Sequence, residues 1–298
     1  MVAVAGATGY IGGKLVTELL GRGHQVRALA RNPHRAARLE ALGATVAQAD
    51  VLERDGLRRA LEGVRIAYYL VHSMGRGAGG GDFASRDKEG ARNFAGAARD
   101  ADVEQIVYLG GLGGSGSEHL RSRHETAETL MGSGVPVTYL RAAAVIGAGS
   151  ESFLTVYYLV KRLPAMITPR WVTTATQPIA IGDVIRYLAE APAVDEARGR
   201  QIEIGGPSVT TYGGMMDAMA RAMGKRPRPR LGVPLLSPGL SSRWLGLVTP
   251  VDTGVARPLI SGMETETVVS DSSGMALFDF DPLELNVAMR AALVEMGE

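Results

Sequence analysis

The chain has 298 residues, a net charge of +1 and no cysteine. This length accommodates one α/β domain plus a lobe, or two small domains. The balanced charge points away from nucleic acid, and the missing cysteines exclude disulfides, thiolate catalysis and cysteine-ligated zinc. No stretch reaches the roughly 18 apolar residues of a membrane span, and no basic segment precedes the first apolar run. The expectation is a cytoplasmic protein, monomer or homodimer, with a small-molecule substrate and no metal.

Val2-Ala3-Val4-Ala5 is a short apolar run that reads as a buried strand. Gly6-Ala7-Thr8-Gly9-Tyr10-Ile11-Gly12 follows it and opens a helical pattern over Ile11–Leu20. A glycine-spaced turn between strand and helix is the first βα turn of a dinucleotide-binding unit, in which backbone approaches pyrophosphate and helix packs closely on strand. The helix N-terminus offers free N–H groups and a positive dipole end to the phosphates. Thr8, Tyr10 and Ile11 belong to the same cradle.

Strands and helices then alternate. Gln25–Ala30 is a strand; Asn32 caps a helix that begins at Pro33 and runs to Leu42. Strands are expected at Thr45–Ala49, Ile66–Val71, Gln105–Leu109 and Val137–Leu140, with helices over Asp55–Leu61, Asp82–Ala101 and Glu118–Met131. Six strands with intervening helices predict a doubly wound, Rossmann-like parallel sheet that binds its ligand at the strands' carboxyl ends. The loops there are rich in glycine: His72 to Gly75 and Gly77 to Gly81 after the fourth strand, Gly110 to Gly116 after the fifth. Residues 1–150 thus form the dinucleotide-binding domain.

Residues 151–298 read as a smaller α+β substrate lobe, interleaved with the core around 171–190. Helices are expected over Ser152–Arg162, Asp183–Glu190 and Tyr212–Met223, and strands at Trp171–Thr174 and Gln201–Ile204. Phe153, Trp171 and Trp244 read as apolar core rather than pocket wall. The run Lys225-Arg226-Pro227-Arg228-Pro229-Arg230 reads as an extended solvated linker, because its prolines forbid a continuous helix. The apolar segment 235–248 is too short to cross a bilayer and fits a cleft wall, a subunit contact or a membrane surface.

A carboxylate at the end of the second strand would bind the adenosine ribose and mark NAD. Arg31 stands there instead, and a guanidinium suits a 2′-phosphate. Asn32 neighbours it, and Arg35 one turn further on is a second contact. NADP is therefore expected in preference to NAD.

The glycine turn, Arg31-Asn32-Pro33 and Ala49-Asp50-Val51 together resemble the atypical short-chain dehydrogenase/reductase superfamily in its NmrA-like branch. Asn93-Phe94, Ile106 to Gly111, Leu140-Arg141, Val145-Ile146-Gly147 and Gln177 to Val184 extend the likeness over nearly the whole chain. Tyr68–Met74 resembles a segment of bacterial NAD(P)-binding proteins of that branch. The resemblance implies that Asp50 and Val51 lie beside the adenine. It also implies that Leu70, Val71 and His72 line the cofactor and that Ala142, Ala143 and Val145 approach the nicotinamide.

Reductases of that superfamily use Tyr-x-x-x-Lys on the helix after strand five. Here the best alignment puts His119 at the Tyr position and Arg123 at the Lys position. Arg123 stays charged and can bind cofactor or an anionic substrate, whereas His119 can donate a proton. Two Tyr-x-x-x-Lys strings occur elsewhere. Tyr10 and Lys14 lie in the glycine turn, and Tyr157 and Lys161 lie on the helix after strand six, where Tyr157 remains a catalytic candidate. Three functions fit: an NADP-dependent oxidoreductase acting on a small carbonyl, imine or enone; a sensor of NmrA type without turnover; and a cofactor-retaining epimerase or dehydratase.

Overall fold

The computed structural model describes residues 1–72, 83–114, 117–232 and 261–298. The glycine run 77–81, the pair Ser115-Gly116 and the segment 235–248 with Trp244 lie outside the described residues.

The chain starts as β1 (Val2–Ala5), α1 (Tyr10–Gly21), β2 (Val26–Ala30), α2 (Ala37–Ala41) and β3 (Thr45–Gln48). It continues through α3 (Arg54–Leu61), β4 (Ile66–Tyr69), α4 (Phe83–Asp100), β5 (Gln105–Gly111), α5 (Glu118–Met131) and β6 (Val137–Ala142). With β11 (Gln201–Ile204) at one edge, the sheet is parallel throughout, in the order β11-β6-β5-β4-β1-β2-β3. This edge strand is a seventh, drawn from beyond residue 150. The strand order reverses between β1 and β4, which opens the crevice where ligands of such sheets bind.

One face of the sheet is covered by α1 and by α7 (Ile181–Glu190), with Leu15, Val16, Leu19, Val184 and Leu188 buried. The other face is covered by α3, α4 and α5 through Leu57, Leu61, Phe94 and Leu130. These layers are the doubly wound α/β arrangement that the alternating pattern predicts. A separate apolar cluster joins α6 (Glu151–Arg162), α8 (Tyr212–Ala222) and the C-terminal helix (Leu285–Met296), with Phe153, Met215, Met219, Met289 and Leu293 at its centre.

Some elements differ from expectation. The helix expected from Pro33 to Leu42 is a 3-10 turn over Pro33–Ala36 followed by the short α2, although Asn32 does cap it: its Oδ1 accepts the His34 N–H at 3.0 Å. The strand expected at Trp171–Thr174 is a 3-10 turn over Arg170–Thr173. Pro169 accepts the Val172 N–H at 3.2 Å and closes that turn, burying Trp171 in the lobe core. Tertiary packing there overrides the strand propensity of Trp, Val and Thr. The basic run is extended, and its end, Arg230, pairs with Asp217 at 2.6 Å.

Arg141 on β6 and Glu203 on β11 tie the sheet edge to the site loops. Arg141 donates to Glu203 at 3.2 Å and to the Gly113 carbonyl at 2.8 Å. Glu203 also accepts the Ser270 N–H at 2.6 Å, the Ser270 hydroxyl at 2.8 Å and the Asp271 N–H at 3.2 Å. Burial pushes the Glu203 carboxyl up, but the Ser270 and Asp271 donors and Arg141 outweigh it and hold it below the usual value. A carboxyl depressed in the folded state contributes stability above its unfolded pKa, and that contribution is lost as pH falls through the folded value. Glu203→Gln is therefore expected to lower stability by about 2 kcal/mol at neutral pH. The gap between variant and wild-type melting temperatures should narrow on acidification below about pH 4; a gap independent of pH would contradict this account.

Candidate dinucleotide and substrate site

The glycine turn is shaped by two close approaches of backbone to backbone. Gly6 adopts φ +84°, and a Cβ there would lie 2.5 Å from the Leu70 carbonyl oxygen at the end of β4. A Cβ at Gly12 would collide with the Gly6 carbonyl. The turn therefore brings α1 directly over the β1–β4 crevice. Gly9 caps α1 with no side-chain hydrogen bond, so the first-turn N–H groups remain for an anion. A turn that only glycine can make this tight, leading into an uncapped helix N-terminus, fits a dinucleotide pyrophosphate.

A cavity of about 370 Å³ opens at this point. Its floor is Gly6, Gly9, Tyr10, Ile11 and Gly12, and its sides include Leu70 and His72 after β4 and Gly110 and Gly111 of β5. Arg123 enters from α5, and Ala142, Ala143 and Val145 come from β6 and the two-residue β7 (Val145–Ile146). The structure thus gathers thirteen residues named from the sequence around one space. The lobe closes it with Ser150, Glu151 and Ser152 at the start of α6, and with Tyr212, Met263 and Thr267. The sequence reading missed these lobe residues. They come from stretches far apart in the chain, and no local spacing marks them.

The other named residues do not line this cavity. Arg31 and Asp50 line a separate crevice with Gln48, Ala49 and Glu53, where Asp50 Oδ1 accepts the Leu52 N–H at 3.0 Å. Thr8 and Arg35 both line another groove, beside α1, that Gly9 and Tyr10 also line. Val51 packs under the sheet, and its carbonyl accepts the Asn93 Nδ2 hydrogen at 3.2 Å. Val71 packs against the same cluster, immediately after the Leu70 carbonyl that meets Gly6. Asn32 spends its side chain on the cap. His119 occupies the first turn of α5, and its side chain lies outside the described residues.

Neither Tyr-x-x-x-Lys string presents a free phenol to the cavity. Tyr10 lines it, but its hydroxyl donates to Glu295 at 3.2 Å, and Lys14 pairs with the same carboxylate at 2.7 Å. Burial, assisted by Glu295, pushes the Tyr10 phenol up to about 12, so it stays neutral. Tyr157 is 1% exposed and sits in the lobe core rather than in the cavity wall. Its hydroxyl donates to Glu298 at 2.5 Å and accepts from Lys161 at 2.5 Å. The structure therefore does not bring Tyr157 to the other candidate residues.

Fold and site together define a dinucleotide-binding α/β protein. The chain belongs to the NAD(P)H-binding family, whose model matches residues 6–157. It is similar to sterol demethylase protein B of Methylococcus capsulatus, 27% identical over 256 residues that span 78% of this chain and 76% of that protein. It is also similar to Quinone oxidoreductase 2 of Escherichia coli, 33% identical over 162 residues that span 52% of this chain and 51% of that protein. Among solved structures, NADPH-dependent quinone oxidoreductase QOR2 from Escherichia coli in complex with NADPH covers 98% of this chain and 100% of its own. The TM-score is 0.78 at 23% identity, a likeness of fold. Among the described residues no helix is long and apolar enough to cross a membrane, and no group of His, Asp and Glu is arranged to hold a metal.

Tyr157→Phe is expected to leave NADPH affinity unchanged, as read by cofactor fluorescence, while lowering the melting temperature by about 2 °C through the lost hydrogen bonds. A variant that melts like wild type but loses turnover would return Tyr157 to the reacting centre.

Proposed function

We propose that the protein is an NADPH-dependent reductase of the atypical short-chain type, acting on a small carbonyl, imine or enone, quinones included. The observation that carries this reading is the shared cavity: the pyrophosphate cradle, Arg123, residues 142–145 and the lobe border one space. A substrate held under the lobe would therefore meet the nicotinamide end of the dinucleotide. The likeness to Quinone oxidoreductase 2 supports the choice of acceptor.

The bound nicotinamide supplies the hydride. The chain's own residues bind, orient and exclude water. The glycine turn and the N-terminus of α1 hold the pyrophosphate. The Arg123 guanidinium binds cofactor ribose, cofactor phosphate or a substrate oxygen that gains negative charge. His119, one turn earlier on α5, serves as the proton donor. The 142–145 turn, with Leu70 and Met263, gives the cavity small apolar walls suited to an unsaturated ring or chain. Arg31, beside Asp50, and Arg35, beside Thr8, favour the extra phosphate of NADPH.

The helix α5 has neither tyrosine nor lysine, and this favours a second reading, a sensor that binds NADPH without turnover. A screen of NADPH oxidation across quinones, ketones, enones and imines separates the two. Turnover that falls at least tenfold in His119→Ala and Arg123→Ala is expected; tight NADPH binding with no turnover of any acceptor would establish the sensor. For the cofactor, Arg31→Asp is expected to weaken NADPH relative to NADH by at least about tenfold, or roughly 1.4 kcal/mol. An unchanged preference in a direct titration of both nucleotides would remove Arg31 from that role.

A further inference from the structure

We propose that the Tyr212 hydroxyl, backed by Thr267 and by the buried Thr176 behind them, forms a subsite on the lobe side of the cavity that binds the carbonyl or quinone oxygen of the substrate, with Tyr212 setting specificity. The inference rests on the reductase reading and adds to it the group that recognises the acceptor.

Tyr212 and Thr267 both line the cavity that the glycine turn floors. They reach it from separate segments. Tyr212 opens α8, where Thr211 caps the helix by accepting the Gly214 N–H at 3.0 Å. Thr267 forms an isolated parallel bridge with Thr176 and donates its hydroxyl to Thr176 Oγ1 at 2.8 Å. The backbone fixes that threonine from both sides: its N–H bonds to the Ala175 carbonyl at 3.1 Å, and its own carbonyl accepts the Gln177 N–H at 2.9 Å. The Tyr212 ring is set edge-on against Trp171, with centroids 5.9 Å apart and an angle of 84°. All three hydroxyls are therefore held by rigid supports rather than by mobile side chains, which is how a binding group is kept in position before its ligand arrives.

The chemistry of the cluster selects the ligand. Its neighbours on the cavity wall, Met263, Leu112 and Ala144, are apolar. A hydroxyl placed on an apolar wall is favourable only when it is hydrogen-bonded, so an analogue without an oxygen would be held less well than one that has it. Burial pushes the Tyr212 phenol up to about 12 against the opposing hydrogen bonds of Thr267 and Thr176. The phenol is thus protonated at neutral pH and able to donate to an acceptor oxygen. The Thr267 proton is spent on Thr176, so the Tyr212 hydroxyl is the donor left for the ligand; a neutral donor suits a neutral carbonyl, whereas Arg123, lining the same cavity from α5, suits an oxygen that is gaining charge.

The test is calorimetric titration of 1,4-naphthoquinone into the protein saturated with NADP⁺, which has no hydride to give, so binding is read without turnover. Tyr212→Phe is expected to weaken the quinone at least tenfold and Thr267→Val about threefold, with NADP⁺ affinity unchanged in both. Thr267→Ser, which keeps the hydroxyl, is expected to bind like wild type, separating loss of the hydroxyl from loss of packing. Tyr212→Phe binding the quinone within twofold of wild type overturns the proposal. So does a wild-type protein that binds NADP⁺ but not the quinone, an outcome that leaves the reductase reading to the NADPH-oxidation screen. Failure of the wild type to bind NADP⁺ removes both readings together.

Discussion

The contact of the Gly6 and Gly12 backbones with their neighbours is the constraint from which the rest of the site follows. With a side chain at either position, α1 could not lie as it does against the end of β4, because the added carbon would meet the Leu70 or the Gly6 carbonyl. With none, the helix N-terminus points into the crevice where the strand order reverses. Every other residue proposed to touch the cofactor is placed relative to that point. Residues 70–72 follow β4 and Gly110-Gly111 end β5 on one side of β1, and Arg31 and Asp50 follow β2 and β3 on the other. The sheet sets the sequence of these contacts along the dinucleotide, and the glycines set how closely it approaches.

The lobe is fastened to that crevice by a few polar bridges rather than by the main sheet alone. Gln177 Oε1 accepts the Val269 N–H at 3.0 Å while its Nε2 donates to Gly206 at 2.7 Å, drawing together the segments around β11 and Thr267. Asp183 accepts the Leu283 N–H at 2.8 Å and anchors the approach to the C-terminal helix. Burial raises the Asp183 carboxyl, with the Leu283 N–H and Arg186 opposing it. Such bridges fix residues distant in sequence at the cavity, where Thr267 and Tyr212 must stand within reach of the same ligand.

Local regularity decides which parts of this were legible beforehand. Six strands, the Asn32 cap, the glycine turn and the intervening helices other than the one after β2, which is a 3-10 turn and a short helix, follow from short-range periods and turn chemistry and are found where the pattern puts them. The position of Arg31 was legible for the same reason, since it follows a strand whose end the pattern fixes, whereas the place of Asp50 beside an adenine is what the family resemblance implies. The seventh strand was not: Gln201–Ile204 is a four-residue alternating run, and nothing local says that it pairs with β6 instead of building the lobe. Tyr212, Met263 and Thr267 were illegible for a stronger reason. Their common position arises only from how α8, the Thr176 bridge and the chain after residue 260 pack together, a tertiary result with no counterpart in spacing.

The two Tyr-x-x-x-Lys strings show what that spacing means physically. On a helix, residues four apart share a face, so the string presents a phenol and an ammonium side by side. That pair can serve a nicotinamide site, and it can equally receive a carboxylate. Here it does the second in both places. Tyr10 and Lys14 bind Glu295, while Tyr157 and Lys161 bind Glu298, and in each case the lysine also lies over its tyrosine ring, at 5.3 and 5.0 Å from the centroid. One pair sits on the cradle helix and the other on the lobe helix α6, so the acidic residues 295 and 298 join the two halves of the site at its back. The phenol is neutral in the first pair and enclosed by its partners in the second. Each phenol is engaged in holding the fold, and neither string supplies a free phenol to the cavity.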